Sequence, residues 1–145
     1  MPSVYDCSVD TDLLTGFRLA KVSLDRQELV VLPTDTVYGI AANAFSPKAV
    51  ENLLNAKGRD RTSPPPVLIP KVETLSALAA DLPLVANQLA SAFWPGALTM
   101  VLKRSEVLTG TLVKLEALLH FAYQITKLRL RFWKMSDRWQ FLVQI

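Results

Sequence analysis

The segment "SPKAVENLLNAKG", Ser46 to Gly58, carries both ends of a helix in its own letters. Ser46 offers a side-chain oxygen to an amide of the first turn. Pro47 suits the first helical position, where its missing N–H would go unpaired anyway, and Gly58 supplies the left-handed residue that closes such a helix. Short apolar runs stand on either side of it. "ELVVLPT" reads as a buried strand ended by Pro33, and "PPVLIP" as a short strand between prolines. Upstream, Leu13, Leu14, Phe17, Leu19, Ala20 and Val22 recur at mixed helical spacing over residues 11 to 26. Downstream, "VANQLASAF" predicts a second helix that ends before "WPG", and "ALTMVLKRS" a further strand. Helix, strand, helix, strand, helix, strand is the order of an α/β fold.

At 145 residues, half of them hydrophobic, the chain has enough apolar surface for one domain. Its apolar runs stay well short of the roughly 20 residues a membrane helix needs, and "MPSVYDCSVD" lacks the basic-then-apolar order of a secretory signal. The expectation is a cytosolic protein with no membrane partner. Cys7 is the single cysteine, which excludes an intrachain disulfide and a cysteine-built zinc cluster. The net charge of +3 would suggest nucleic acid until it is divided along the chain. Residues 1 to 113 hold 10 Lys/Arg against 11 Asp/Glu, a balance of −1, whereas residues 114 to 145 hold 6 against 2, a balance of +4. All nine prolines lie at or before Pro95 and all five glycines at or before Gly110, while Trp133 and Trp139 fall in the basic tail. Two parts are therefore expected: a domain over residues 1–110 and an aberrant basic tail over 111–145.

Three stretches carry candidate chemistry, each with a plain structural alternative. In "PTDTVYG", Pro33 stops the strand, so Thr34 to Thr36 leave it with hydroxyls and amides free for a ligand at a strand's carboxyl end. The alternative is a simple turn, with Asp35 folded onto its own backbone and Tyr38 in the core. "KGRDRTS", Lys57 to Ser63, sets three cations within five residues after a helix. They suit an anion such as a triphosphate, and equally the negative end of the helix dipole. Thr99, Lys103 and Arg104 form a weaker hydroxyl and cation set on the last strand. His120 has no Ser or Cys partner at a recognisable spacing and reads as a lone histidine. Neither a G-x-G-x-x-G nor a Walker loop occurs, so a bound nucleotide would need a different cradle.

Taken in order, "LVVLPTDTVYGIAANAF", "LLNAKGRDRTSPPPVLI" and "FWPGALTMVLKRS" resemble the YrdC/TsaC family of threonylcarbamoyl-AMP synthases, from about Leu13 to Ser105. The resemblance implies an α/β fold with a twisted open mixed sheet and flanking helices, incomplete here at the C-terminal end. It implies a nucleotidyltransferase that joins L-threonine, bicarbonate and ATP into threonylcarbamoyl-AMP and pyrophosphate. That product feeds the threonylcarbamoyl modification of tRNA adenosine, so RNA, tRNA and tRNA-modification proteins are the implied partners and Mg²⁺ the implied companion of ATP. By the same resemblance Thr36, Thr34, Tyr38 and Lys103 belong to the threonine site, and Lys57, Arg59, Ser63 and Thr99 to the ATP site. No covalent nucleophile is implied, and no acid cluster marks metal ligands.

After "TMVLKRS" the family continues with a strand bearing arginine before proline, then a helix, then a serine-rich loop, none of which stands in residues 106 to 145. A reading-frame shift between about Ser105 and His120 is one explanation, and a divergent tail the other. In the frame that starts on each codon's third base, two of every three bases are dictated by the amino acids seen. From Phe121, one permitted choice of the free bases turns "FAYQITKLRLRFWKMSDRWQFLVQI" into "RIPDHEVALAVLEDVGPLAVSSAN". That shadow peptide holds the arginine and proline, an amphipathic helix, a Gly-Pro turn and a Ser-Ser-Ala-Asn loop. A truncated sheet would expose an unpaired strand edge. Three outcomes are expected to compete: an enzyme, whole or crippled; an RNA-binding module using Arg129, Arg131, Lys134, Trp133 and Trp139; and an inactive truncated fragment. The tail's own spacing also permits a helix through Leu115, Leu118, Leu119 and Ala122.

Overall fold

The local signals around Ser46 act as their chemistry dictates. In the computed structural model, helix α2 spans Pro47–Lys57, and the Ser46 hydroxyl accepts from the Ala49 amide at 3.3 Å. Gly58 takes the left-handed conformation at φ 61°. Its N–H donates to Asn55 O at 3.1 Å and that of Arg59 to Leu54 O at 3.0 Å. This paired closure satisfies two carbonyls that the helix would otherwise leave orphaned. The structure describes residues 3–34, 37–59, 65–105, 118–123 and 141–144.

The other elements are α1 (Asp10–Asp25), β1 (Val30–Pro33), β2 (Tyr38–Asn43), β3 (Val67–Leu68), α3 (Glu73–Leu78), α4 (Leu84–Phe93), β4 (Thr99–Lys103), β5 (Leu118–Ala122) and β6 (Phe141–Gln144). The strands form one six-stranded sheet in the order β1-β2-β6-β3-β5-β4. β3 and β5 pair in parallel, and the other neighbours are antiparallel, so the sheet is mixed as expected. Alternate residues feed two cores, as the pleat requires. Val30, Leu32, Ala41, Leu68 and Ala122 pack with Leu13, Phe17 and Leu24 of α1 on one face. Ala42, Val67, Met100 and Phe121 pack on the other with Val50, Leu53, Leu75 and Ala90 from the remaining helices.

Three elements were not expected from the sequence: β2, α3 and the tail strand β6, which stands between β2 and β3. β2 lies in "YGIAAN", where glycine, alanine and asparagine give little strand signal, and it forms because β1 pairs with it from Val30↔Ala41 to Pro33↔Tyr38. One expectation is corrected: Leu118–Ala122, in the span proposed for a tail helix, is strand β5. It pairs with β4 over five positions, from Thr99↔Ala122 to Lys103↔Leu118, and with β3 at Val67↔Phe121 and Leu68↔Ala122. The gain that overrides helical spacing is visible at Phe121, which this pairing buries completely beside Met100. Leu115 lies outside the described residues. β1 and β4 are the outer strands of the sheet, and the finish of β4 is met by the Ala79–Arg104 bridge and the Ala80 amide, which donates to Lys103 O at 2.8 Å.

Candidate functional site

Strand directions fix which candidate residues share an end of the sheet. β1 runs toward Thr34, and β2 starts from that end at Tyr38. The antiparallel pairings, with the parallel pairing of β3 and β5, then place the start of β3, the start of β5 and the finish of β4 at the same end. α2 follows β2 after three residues and packs on its face, so it returns to this end with Lys57, Gly58 and Arg59. Thr34, Tyr38, Lys57, Arg59 and Lys103 therefore all sit at one end. Thr99 lies at the other end of β4, on the same face as Lys103 and, at about 3.3 Å per residue, roughly 13 Å from it.

Sharing an end is not the same as meeting. β1 is one margin of the sheet and β4 the other, five strand spacings or roughly 24 Å away, with β2 one spacing nearer. The structure thus gathers Thr34, Tyr38, Lys57 and Arg59 around the hairpin and α2, and leaves Lys103 and Thr99 across the sheet. Thr36 and Ser63 lie outside the described residues, as do the tail cations and tryptophans considered for RNA. His120 is half-buried on β5 opposite Val101.

Thr34 closes the hairpin. Its amide donates to the Val37 carbonyl at 3.3 Å, and its hydroxyl donates to the same oxygen. The turn reading of "PTDTVYG" is thereby met in part, by Thr34 and not through the core, because Tyr38 is 74% exposed. Val37, which the sequence did not single out, supplies the carbonyl that holds this turn. A phenol ring and a closed hairpin at a strand's carboxyl end form a platform open to solvent. At the end of α2 Lys57 is half-buried and Arg59 exposed. Both stand at the negative end of the α2 dipole, which repels an anion. A phosphate group is held there only if the two cations outweigh that partial charge. Lys103 and Thr99 are exposed on the opposite margin. Among the described residues no three His, Cys, Asp or Glu side chains group to hold a metal ion, and no helix is long and apolar enough to cross a membrane.

Comparison with known proteins gives this arrangement a lineage. The profile of the Sua5/YciO/YrdC family, described as telomere recombination, matches residues 23–117. A putative threonylcarbamoyl-AMP synthase of Mycobacterium leprae is 46% identical over 101 residues, 70% of this chain and 46% of that protein. The crystal structure of Pyrococcus abyssi Sua5 complexed with L-threonine superposes with a TM-score of 0.80 at 34% identity, covering 88% of this chain and 37% of Sua5. YciO of E. coli, at 14% identity and a TM-score of 0.78 over 91% of this chain and 63% of its own, shares the fold. The chain spans about half the length of the mycobacterial relative it matches. With the family profile matched over residues 23–117 and the fold shared with Sua5, the chain belongs to the Sua5/YciO/YrdC family.

Proposed function

We propose that this chain derives from an L-threonylcarbamoyladenylate synthase and carries the half of its site built by the β1–β2 hairpin and the C-terminal end of α2. The observation that carries the reading is the shared end of Thr34, Tyr38, Lys57 and Arg59, in a fold whose relative from P. abyssi is titled as a complex with L-threonine. In the reaction, the threonine amine adds to the bicarbonate carbon and water leaves, giving a carbamate. A carbamate oxygen then attacks the α-phosphorus of ATP, the bond from that phosphorus to the bridging oxygen breaks, and pyrophosphate departs. No side chain needs to form a covalent bond. The work is positioning and charge stabilisation, which hydroxyls, amides and cations can do.

In this reading Thr34, Thr36 and Tyr38 frame the threonine, while Lys57, Arg59 and Ser63 receive the triphosphate and Thr99 the nucleoside. Lys103 approaches the substrates from the far margin. Mg²⁺ enters as part of the nucleotide substrate, held by its phosphates. The product serves tRNA modification in the cytoplasm. The activity of the 145-residue chain itself is crippled, because a frame shift near residues 105 to 120 has replaced the segment that completes the groove. Residues 1–110 are then family sequence, and the translation out of register within 111–145 lends strands β5 and β6 to the same sheet.

The test is pyrophosphate release that requires both threonine and bicarbonate, run on the 145-residue chain and on a chain with the frame restored. Strong release from the restored chain alone is expected. Equal turnover by both would make the tail a functional substitute and defeat the frame reading. Sequencing the gene across the same interval is the independent check.

A further inference from the structure

The phase of its hydrogen bonds fixes which backbone groups of β1 face β2 and which face outward. The Thr34 amide donates to Val37 O at 3.3 Å, which makes those two residues a bonded pair. Bonded and unbonded pairs alternate along an antiparallel ladder, so Leu32↔Gly39 and Val30↔Ala41 are bonded, whereas Pro33↔Tyr38 and Val31↔Ile40 are not. The N–H and C=O of Val31, the C=O of Pro33 and the polar groups of Leu29 therefore point away from the sheet. No strand among the described residues pairs with them, because β1 is an outer strand. The Val31 side chain, at the same margin, is 63% exposed.

The two outer strands are guarded differently. β4 ends at Lys103, with Arg104 next, and residues 78–80 lie against its finish. There the Ser105 amide donates to Leu78 O and the Ala80 amide to Lys103 O, both at 2.8 Å. β1 has no such cover among the described residues, and no charge stands from Leu29 to Pro33. Charge and cover are what keep an edge from pairing, and Pro33 removes a donor only at the last position of the strand. An apolar edge of this kind takes up another extended strand.

We propose that β1 pairs antiparallel with β1 of a second copy of this chain, about a twofold axis through Val31. That centre makes the edge self-complementary. Val31 exchanges both of its bonds with the second copy's Val31, and the Leu29 amide donates to the second copy's Pro33 carbonyl on either side of the axis. The donor that proline lacks costs only the return bond. The two Val31 side chains meet on one face, and Glu28 falls opposite Thr34 instead of another carboxylate, so no like charges oppose each other. The pairing follows from strand register and depends neither on the proposed reaction nor on the reading frame. A strand this short buries less than the roughly 1,200 Å² of a stable interface, so the dimer is weak, with Kd above about 1 µM.

The test is sedimentation velocity of the 145-residue chain over a hundredfold range of concentration. Its mass should rise from monomer toward dimer and stop there. Val31→Lys sets like charges face to face at the axis and should stay monomeric. So should Val31→Pro, whose missing N–H points outward and leaves the β1–β2 ladder intact. Thermal melts at low concentration show whether each variant folds. No rise in mass, a rise past the dimer, or an equal rise in either folded variant overturns the proposal. Two further arms check the register. In the unaltered chain the Val31 amide should exchange at least threefold more slowly at high concentration, while the Leu32 amide, already bonded to β2, changes little; association with Val31 unchanged belongs to another face and overturns the proposal. In a Cys7→Ser background, Val31→Cys should oxidise to a linked dimer at least tenfold faster than Val101→Cys, a similarly exposed valine of β4. Bonded partners stand about 5.5 Å apart at Cα, within the span of a disulfide. Equal rates defeat the pairing.

Discussion

Phe121 is the residue at which the tail either belongs to the fold or does not. It lies in β5, pairs with Met100 of β4 and Val67 of β3, and is fully buried in the larger core. An aromatic side chain buries about 150 to 250 Å². At about 25 cal/mol per Å² that is about 4 to 6 kcal/mol of transfer free energy, and measured Phe→Ala costs run about 3 to 5 kcal/mol with partial collapse of the cavity. Phe121→Ala should therefore cost about 4 kcal/mol, a large share of the roughly 5 to 15 kcal/mol that stabilises a domain. With a urea slope of about 2 kcal/mol/M, the unfolding midpoint should fall by about 2 M. The assay is equilibrium urea unfolding followed by tryptophan fluorescence, with Trp94 beside Tyr123 as a reporter close to the site of change. Phe121→Leu keeps most of the volume and should cost about 1 to 2 kcal/mol, which keeps the series measurable should the alanine variant not fold. A midpoint shift below about 0.5 M for Phe121→Ala would mean that β5 is no part of the core, and the reasoning from its burial would fail.

Ser46→Ala removes the acceptor for the Ala49 amide and should lower stability by about 1 kcal/mol in the same unfolding assay. Gly58→Ala meets no neighbour within 4 Å, so its cost is the left-handed backbone alone, about 1 kcal/mol. Gly96→Ala should be the worse of the two glycine changes, because its new Cβ would stand 2.4 Å from the Phe93 carbonyl oxygen; a thermal melt equal to that of Gly58→Ala would count against this. The Asp6 carboxylate is held below the usual carboxylate value by the Ser8 hydroxyl at 2.7 Å and the Ser8 amide at 2.9 Å. A depressed value contributes stability above the unfolded carboxylate value and loses it as pH falls through the folded one. Ser8→Ala should move the Asp6 titration upward in a carboxyl-resolved NMR experiment, and an unmoved curve would refute the assignment.

Legibility followed locality. α2 was readable to the residue because Ser46, Pro47 and Gly58 act within one turn of where they stand. β1, β3 and β4 were readable because proline or a polar residue bounds each apolar run. β2 was not, since its strand state depends on β1 for pairing and on Ala41 and Ala42, both fully buried, for close approach of the helices on both faces. β5 was misread for a related reason. Leu118 and Ala122 sit at helical spacing, and only the waiting edges of β3 and β4 decide for extended backbone. The candidate site divides the same way. Residue types pointed to hydroxyl and cation chemistry, yet no local pattern could reveal that Lys103 would stand on the margin opposite Thr34 and Tyr38.

That separation bears on the chemistry more than any single residue does. Joining threonine to adenylate requires a carbamate oxygen within about 3.5 Å of the α-phosphorus. β1 and β4 lie five strand spacings, roughly 24 Å, apart along the sheet, so in the proposed reading the two groups meet the substrates from opposite sides and not at one atom. In the proposed reading Lys57 and Arg59 receive the triphosphate against the α2 dipole and from one side only. On the proposed reading, restoring the parent frame should raise threonine-dependent pyrophosphate release far more than any replacement at Thr34, Tyr38, Lys57, Arg59 or Lys103 in the 145-residue chain. A single substitution in the present chain that matched the restored enzyme would show that the two margins cooperate without it.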